Sequence, residues 1–370
     1  MSQDAPPRRG VDPILLLCIV GLTLFGLMMV MSASSVLGEK LYGDAYYYFK
    51  HQITFGGLFG LVAFLIGIFV PYQQWRWVAL PGMLVALALL VLVFFPAFSV
   101  SSGGASRWIA LGPITVQPTE ITKLAFILYL AALLETKGAD LHNWRKGIVP
   151  FLVIMTVVAI LIVLQPDIGT LFSIIIVAGA MIFAAGIKMS HLIALFGLGV
   201  TVFLVLVNTA SYRLNRIIVY LHPELDPQGV GYQINQALMA VSTGGWWGLG
   251  LGRSRQKYQY LPEPAGDSIF AVAAEELGLV RTSLLLLVFA IIGYRGFSAA
   301  RRAPDMFGRL VAIGITTWII SQAFINIGSI MAVTPLTGIP LPFISYGGSA
   351  LVMLLLAAGI LLNISRYAQE

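Results

Sequence analysis

Cysteine is almost absent. The one thiol in 370 residues, Cys18, excludes a disulfide framework and a thiolate metal site. Histidine is nearly as rare, and His51, His142, His191 and His222 are too scattered for a histidine-based metal centre. Charge is scarce as well: Asp, Glu, Lys and Arg make up 10% of the chain, against roughly 25% in soluble domains. No internal repeat, low-complexity tract or domain linker divides the sequence.

What remains is hydrophobic, at 58% of the chain. A spanning helix needs about 20 mostly apolar residues. Ten candidate spans are centred near Ile14–Met31, Phe55–Val70, Val78–Phe98, Thr119–Leu134, Ile148–Leu164, Gly169–Ile187, Leu192–Val207, Ser268–Ile292, Leu310–Val333 and Ser349–Ile364. The backbone cannot stay unpaired in lipid, so ten long apolar runs mean a helical bundle rather than a barrel. The predicted fold class is an all-α integral membrane protein with about ten transmembrane helices. Residues 1–12 form a cytoplasmic tail, 13–366 a single membrane domain, and 367–370 a cytoplasmic end. The first span is too long for a cleavable signal, and no A-x-A-like site follows it.

Lys and Arg set the orientation. With both termini in the cytoplasm, the inner loops hold Arg8, Arg9, Arg76, Lys137, Arg145, Lys146, Lys188, Arg295, Arg301, Arg302, Arg309 and Arg366. The net charge of +6 is mostly this bias and does not point to nucleic acid. The inner connections are short. The outer face carries three larger pieces: residues 98–120, the large loop 208–266 between helices 7 and 8, and residues 333–350. In the third, Pro335, Pro340 and Pro342 interrupt an apolar stretch. Proline breaks the helical ladder. The segment reads either as an ordinary loop or as a re-entrant piece lining a cavity.

Acid sits where apolar sequence begins. In YLPEPAGDSIFAV, Asp267 stands at the seam between a polar turn and a span. It reads as a helix N-cap or as a general base whose pKa is raised by lost hydration. Glu275 and Glu276 lie about 12 Å further along a helix. They read as an internal ion-pair network at least as readily as a functional site. Glu120 and Lys123, in QPTEITK, share a helix face and can pair. Asp167, in LQPDIGT, adds another outer carboxylate. The large loop supplies the opposite charge: Arg213 and Arg216, then Arg253, Arg255 and Lys257. Such residues bind phosphate or anionic lipid headgroups.

Several motifs together carry a resemblance. They are MSASS at 31–35, RWIALGPITVQPTEITK at 107–123, QPDIGT at 165–170, YRLNRI and LDPQGVGYQINQA within 212–237, GLGRSRQKYQYLPEPAGDSIFAVAAEELG at 250–278, and GIPLPFISYGGSAL at 338–351. In this order the chain resembles the SEDS family (shape, elongation, division and sporulation proteins), membrane glycosyltransferases that polymerise peptidoglycan. It is more similar to the FtsW-like division branch than to the RodA-like elongation branch. One departure is Arg281, where a small residue is expected after EELGLV. The expectation is that it pairs with Glu275, Glu276 or a neighbouring span.

The resemblance implies inverting glycosyl transfer from an undecaprenyl-pyrophosphate donor, with lipid II as substrate and a nascent glycan strand as product. It implies Asp267 as the catalytic base. Glu120, Lys123, Arg213, Arg216, Lys257 and Glu263 are the expected substrate-binding residues. No cofactor is certain. Arg213, Arg216, Lys257 or a divalent cation, Mg or Mn, would meet the charge of the leaving pyrophosphate. The implied partners are a class B penicillin-binding protein, other division proteins and membrane lipid. The implied location is the bacterial cytoplasmic membrane, at the division septum. Two rival readings use the same residues: a lipid II flippase and a non-catalytic division scaffold.

Overall fold

A computed structural model describes residues 10–102, 105–112, 114–138, 143–208, 211–226 and 228–367. Arg8, Arg9 and His142 lie outside the described residues, as do most of the expected N-terminal tail and C-terminal end.

Helix starts follow local chemistry. In α1 (Pro13–Tyr42), the Asp12 carboxylate accepts from the Ile14 and Leu15 amides, proline occupies the first turn, and Gly43 closes the far end at φ 66°. Each part fits its position: an acidic acceptor for free N–H groups, proline where no donor is needed, and glycine for the left-handed residue. Beyond it come α2 (Tyr47–Phe69) and α3 (Tyr72–Leu92). Then follow α4 (Pro118–Lys137), α5 (Trp144–Leu164), α6 (Ile168–Ala184) and α7 (Met189–Asn208). The large loop holds α8 (Ser211–Leu221) and α9 (Val230–Gly244). The chain closes with α10 (Ile269–Arg301), α11 (Met306–Ile330) and α12 (Gly348–Arg366).

A helix stands at each of the ten predicted spans. Among the described residues, seven are long and apolar enough to cross a membrane: α1, α2, α3, α5, α10, α11 and α12. The chain is thus a multi-pass, mostly helical membrane protein. α6 is apolar but shorter. α4 has Glu120 and Lys123 near one end and Glu135 and Lys137 near the other. Inner and peripheral helices separate by burial. α11 and α12 bury 72% and 67% of their most apolar windows, against 22–39% for the other five. α4 is buried along most of its length and packs against α3 and α11. The least apolar of the helices at the ten predicted spans thereby occupies the interior, where its charges meet protein rather than lipid.

The all-α expectation needs one correction. Residues 98–120 contain an antiparallel sheet of β1 (Ser99–Ser102), β2 (Ala105–Leu111) and β3 (Ile114–Val116) in sequential order. Val100 pairs with Trp108 and Ala110 with Thr115. Arg107 pins the sheet to the bundle by donating to the carbonyls of Gln165 and Pro166, at the turn between α5 and α6. The strands are too short to give a periodic signal, and tertiary anchoring completes what their sequence leaves undecided.

The chain between α11 and α12 is irregular yet largely buried. Leu336, Ile339, Leu341, Phe343 and Ile344 are each at most 8% exposed. Ser345 Oγ accepts from the Leu341 amide at 2.8 Å and donates to the Gly266 carbonyl at 2.8 Å. The Tyr346 amide donates to the Ala265 carbonyl at 2.8 Å. This broken segment is therefore covered by protein, the condition irregular backbone must meet at membrane depth. α1 presses on it so closely that a Cβ at Gly26 would run into the Phe343 carbonyl.

α10 is not one continuous helix. Gly278 has φ 78° and ψ 174°, which breaks it after two turns. Glu275 and Glu276 precede this break, within the span the sequence places at Ser268–Ile292. A Cβ at Gly278 would strike the Gly248 amide and the Trp246 carbonyl, so the chain following α9 crosses the break backbone to backbone. Only glycine allows both the dihedral angle and the approach.

Candidate active site

Asp267 is free of the cap role. The N-cap of α10 is Ser268, and no side chain makes the capping hydrogen bond there. The Ser268 hydroxyl stands 3.5 Å from Asp267 Oδ1, at the limit of a hydrogen bond. Ser268 is itself approached by Gln233 Nε2 of α9 at 3.1 Å. The Asp267 side chain still meets solvent, but protein crowds it. Burial, and then the negative charge of Glu263, push its pKa from an ordinary 3.8 up to about 6, with partial relief from Gln233 and Ser268.

Glu263 shapes the turn before it. Its backbone is left-handed at φ 47°, uncommon for a non-glycine residue. Its carbonyl accepts from the Gly266 and Ser268 amides at 3.0 and 3.3 Å. Its side chain is exposed. Opposite Asp267 lies the broken segment: a Cβ at Gly338 would stand 3.8 Å from Asp267 Oδ2.

Glu120 and Lys123 form the pair their spacing predicts. Lys123 Nζ is 2.8 Å from Glu120 Oε1, with both side chains buried. Glu120 Oε2 is buried without a hydrogen-bond partner among the described residues. Lys123 also donates to Gln322 Oε1 at 2.8 Å and stands 4.9 Å from the centre of the Trp318 ring.

The sequence reading missed the residues that connect this pair to Asp267. Trp318, Gln322 and Asn326 recur every fourth position on α11, on one helix face. Gln322 accepts from Trp318 Nε1 at 2.7 Å and donates to the Pro340 carbonyl at 2.9 Å. Asn326 Nδ2 donates to the Asp267 carbonyl at 2.7 Å and the Ile339 carbonyl at 2.8 Å. Two amides four apart in an apolar run, WIISQAFIN, were the available signal.

The expected cations fare differently. Arg216 is exposed and reaches the Leu336 carbonyl at 3.5 Å, the limit of a hydrogen bond, on the same broken segment that faces Asp267. Arg213 belongs to α8, but its side chain lies outside the described residues. Lys257 is not a free cation, which corrects its expected place among the phosphate-binding residues. It is buried, and its ammonium bonds Gly252 O at 2.7 Å, Glu276 Oε1 at 3.2 Å and Ser32 Oγ at 3.3 Å.

Glu275 and Glu276 are saturated. Ser32 Oγ, within the MSASS motif, donates to both Glu276 oxygens at 2.7 and 2.8 Å, and the Ser254 amide reaches Oε1 at 3.3 Å. Glu275 accepts from Ser254 Oγ, the Arg255 amide and the Gln256 amide. Arg281 does not join them. It is exposed beyond the break and donates to the Trp247 carbonyl at 3.0 Å. Asp167 caps α6 by accepting from the Thr170 amide and hydroxyl, a structural role.

No group of three or more His, Cys, Asp or Glu side chains among the described residues is placed to hold a metal ion. Asp267 and Glu263 are the two carboxylates of the 263–267 turn, and a divalent cation held partly by substrate phosphates would use one or two such groups.

Residues 13–370 match the family described as cell cycle proteins, FtsW/RodA/SpoVE. The chain is 43% identical to stage V sporulation protein E of Bacillus subtilis (strain 168) over 363 residues, 98% of this chain and 99% of that protein. It is 41% identical to a probable peptidoglycan glycosyltransferase FtsW of Geobacter sulfurreducens (strain DL-1 / KN400) over 355 residues, 96% of this chain and 95% of that one. Its fold is similar to a chain in a peptidoglycan synthase complex solved to show how polymerization and crosslinking are coordinated. The TM-score is 0.79 at 27% identity, covering 96% and 98% of the two chains. It is also similar to the rod shape determining protein RodA of Thermus thermophilus, with a TM-score of 0.70 at 26% identity, covering 97% and 98%.

Proposed function

The chain belongs to the FtsW/RodA/SpoVE family of cell cycle proteins, and from that membership we infer that it is a peptidoglycan glycosyltransferase of cell division. It joins lipid II units into glycan strands at the outer face of the bacterial cytoplasmic membrane, at the septum. Ten helices span the bilayer, with both termini in the cytoplasm.

The observation that carries the mechanism is the state of Asp267. Its carboxylate is underbonded, stands at the edge of the membrane domain, and has a pKa of about 6. At pH 7 about nine-tenths of such a group is ionised, yet it takes a proton more readily than an ordinary aspartate. In the proposed step it removes the proton from the GlcNAc 4-hydroxyl of the acceptor. The freed oxygen pair attacks C1 of the MurNAc at the reducing end of the growing strand. The bond from C1 to the pyrophosphate oxygen breaks with inversion, and undecaprenyl pyrophosphate leaves with its electrons.

Arg216, loosely held at Leu336, is free to turn toward the leaving diphosphate. Arg213, three residues earlier on α8, is the second candidate for that charge. The Glu120–Lys123 pair, with one buried carboxylate oxygen still open, positions substrate. Glu263 tunes the base. Lys257 shapes the loop from within, and no step is routed through a metal. Crosslinking falls to a class B penicillin-binding protein bound beside the chain, because this sequence has no transpeptidase serine motif.

The test is polymerisation of lipid II by the purified protein with its transpeptidase partner, with strands resolved on a gel. Wild type is expected to make polymer. Folded, partner-binding Asp267→Ala is expected to lose at least about a hundredfold in rate. Equal polymer from both would remove Asp267 from the chemistry. Polymer from neither would bring forward flipping or scaffolding.

A further inference from the structure

The turn before Asp267 is tied to the broken segment through the Ala265 and Gly266 carbonyls, and the main chain of Asp267 itself is held from a third direction, by α11. We propose that Asn326 is the positioning residue of this base, and that Gln322 carries the same restraint to the Glu120–Lys123 pair. The proposal rests on reading Asp267 as the base.

The argument starts from hydrogen-bond capacity. An amide side chain has two donor protons. Asn326 directs both at main-chain carbonyls on two separate segments: Asp267, just before α10, and Ile339, in the broken segment. A buried carbonyl without a partner is costly, and an irregular segment has many. One side chain thus satisfies two such groups and sets the spacing between the residue carrying the base and the segment opposite it. Asn326 is 1% exposed, and α11 is among the most buried helices of the bundle. The amide is therefore fixed to a rigid element rather than to the loop it controls.

One turn earlier the pattern repeats. Gln322 is fully buried and donates to the Pro340 carbonyl, the residue after Ile339. Its oxygen accepts from both Lys123 and Trp318. A single helix face therefore sets Lys123, the segment at 339–340 and the Asp267 main chain at fixed distances from one another. Supports of this kind change rate without touching substrate, because a misplacement of about 1 Å can cost on the order of a hundredfold.

The test uses the full chain with its partner transpeptidase. Steady-state lipid II polymerisation is followed from pH 5 to 8 for wild type, Asn326→Ala, Asn326→Gln and Asp267→Ala. Folding is checked by thermal melting and partner binding by co-elution. Asn326→Ala is expected to lower kcat about 10- to 100-fold with KM within about threefold, and to displace the acid limb of the pH profile. Asn326→Gln keeps the amide but moves it by one methylene. It should melt like wild type and still lose kcat, so it decides the matter if the alanine variant does not fold. Wild-type kcat and an unmoved acid limb in a folded Asn326 variant, beside an inactive Asp267→Ala, would overturn the positioning role and leave the base in place. Full activity in Asp267→Ala would remove the base and the proposal together.

Discussion

Asp267 and the Glu275–Glu276 pair stand at opposite ends of one two-turn segment, and their surroundings are opposite in kind. Asp267 has only weak side-chain donors, Gln233 and a Ser268 hydroxyl at 3.5 Å, and a raised pKa. Glu275 and Glu276 are buried and draw donors from Ser32, Ser254, Arg255, Gln256 and Lys257. A saturated carboxylate has no capacity left for a substrate proton and holds two chain segments together. An underbonded one at a water-reached edge stabilises little and is available for proton transfer. Acid near a membrane boundary is not one signal but two, and bonding separates them.

The sharpest way to break the comparison is to remove each carboxylate in turn. Asp267→Ala should lower polymerisation by about 10²–10⁴-fold while leaving the melting temperature near wild type. Glu276→Ala should do the reverse. It leaves the Lys257 ammonium buried without its anion, and losing one partner of a buried pair costs about 3–5 kcal/mol. Thermal unfolding in detergent measures that loss, and activity should fall only with the folded fraction. An unchanged melting temperature in Glu276→Ala would show that the pair is not what ties α1 to the 250–257 loop.

Next in size is the break that follows Glu276. Gly278→Ala places a Cβ at φ 78°, ψ 174°, a region essentially confined to glycine and worth about 1–3 kcal/mol of strain. The same Cβ meets the Gly248 amide and the Trp246 carbonyl. The expected result is a lowered melting temperature with partial loss of activity. A variant that melts like wild type would mean that the break can straighten.

This glycine also marks where the sequence stopped being legible. Helices stand at the ten predicted places because apolar run length is a local property that the membrane enforces on every span. The pairing of Glu120 with Lys123 was legible too, since spacing of three puts both on one face. The break at Gly278 was not, because Gly in an apolar helix is common and only the crossing chain at 246–248 makes it necessary. Lys257 looked like a phosphate ligand because its charge was visible and its partner, nineteen residues on, was not. The amides of Gln322 and Asn326 went unread for a related reason: their carbonyl partners belong to the main chain, which every sequence has. The helices α8 and α9 were hidden inside what read as one polar loop, although α8 holds both arginines of SYRLNRI.

A smaller effect tests whether Asp267 is held against its own comfort. Its folded pKa of about 6 lies above the ordinary 3.8, so the folded protein binds the proton more tightly than the unfolded chain. The ionised form therefore lowers stability above pH 6, and that loss is relieved as pH falls toward 4. Asp267→Asn carries no charge at any pH. It should melt higher than wild type above pH 6, by on the order of 1–2 kcal/mol after allowance for partial solvent access, and the gap should close near pH 4. A gap that persists at pH 4 would assign the gain to packing rather than charge.

The smallest expected effect separates the two causes of that raised pKa. Burial is the larger, and the charge of Glu263 is the next. Glu263→Gln removes the charge and leaves the burial, so the acid limb of the polymerisation profile should move toward lower pH without reaching the position of an exposed aspartate. The Glu263 side chain is exposed, and its field on Asp267 is therefore screened by salt, whereas desolvation is not. Raising the ionic strength should move the wild-type limb toward that of Glu263→Gln and leave the variant almost still. If both limbs move together, the salt is acting on substrate binding rather than on the base. If neither differs from the other at low salt, Glu263 does not reach Asp267, and burial alone prepares the carboxylate.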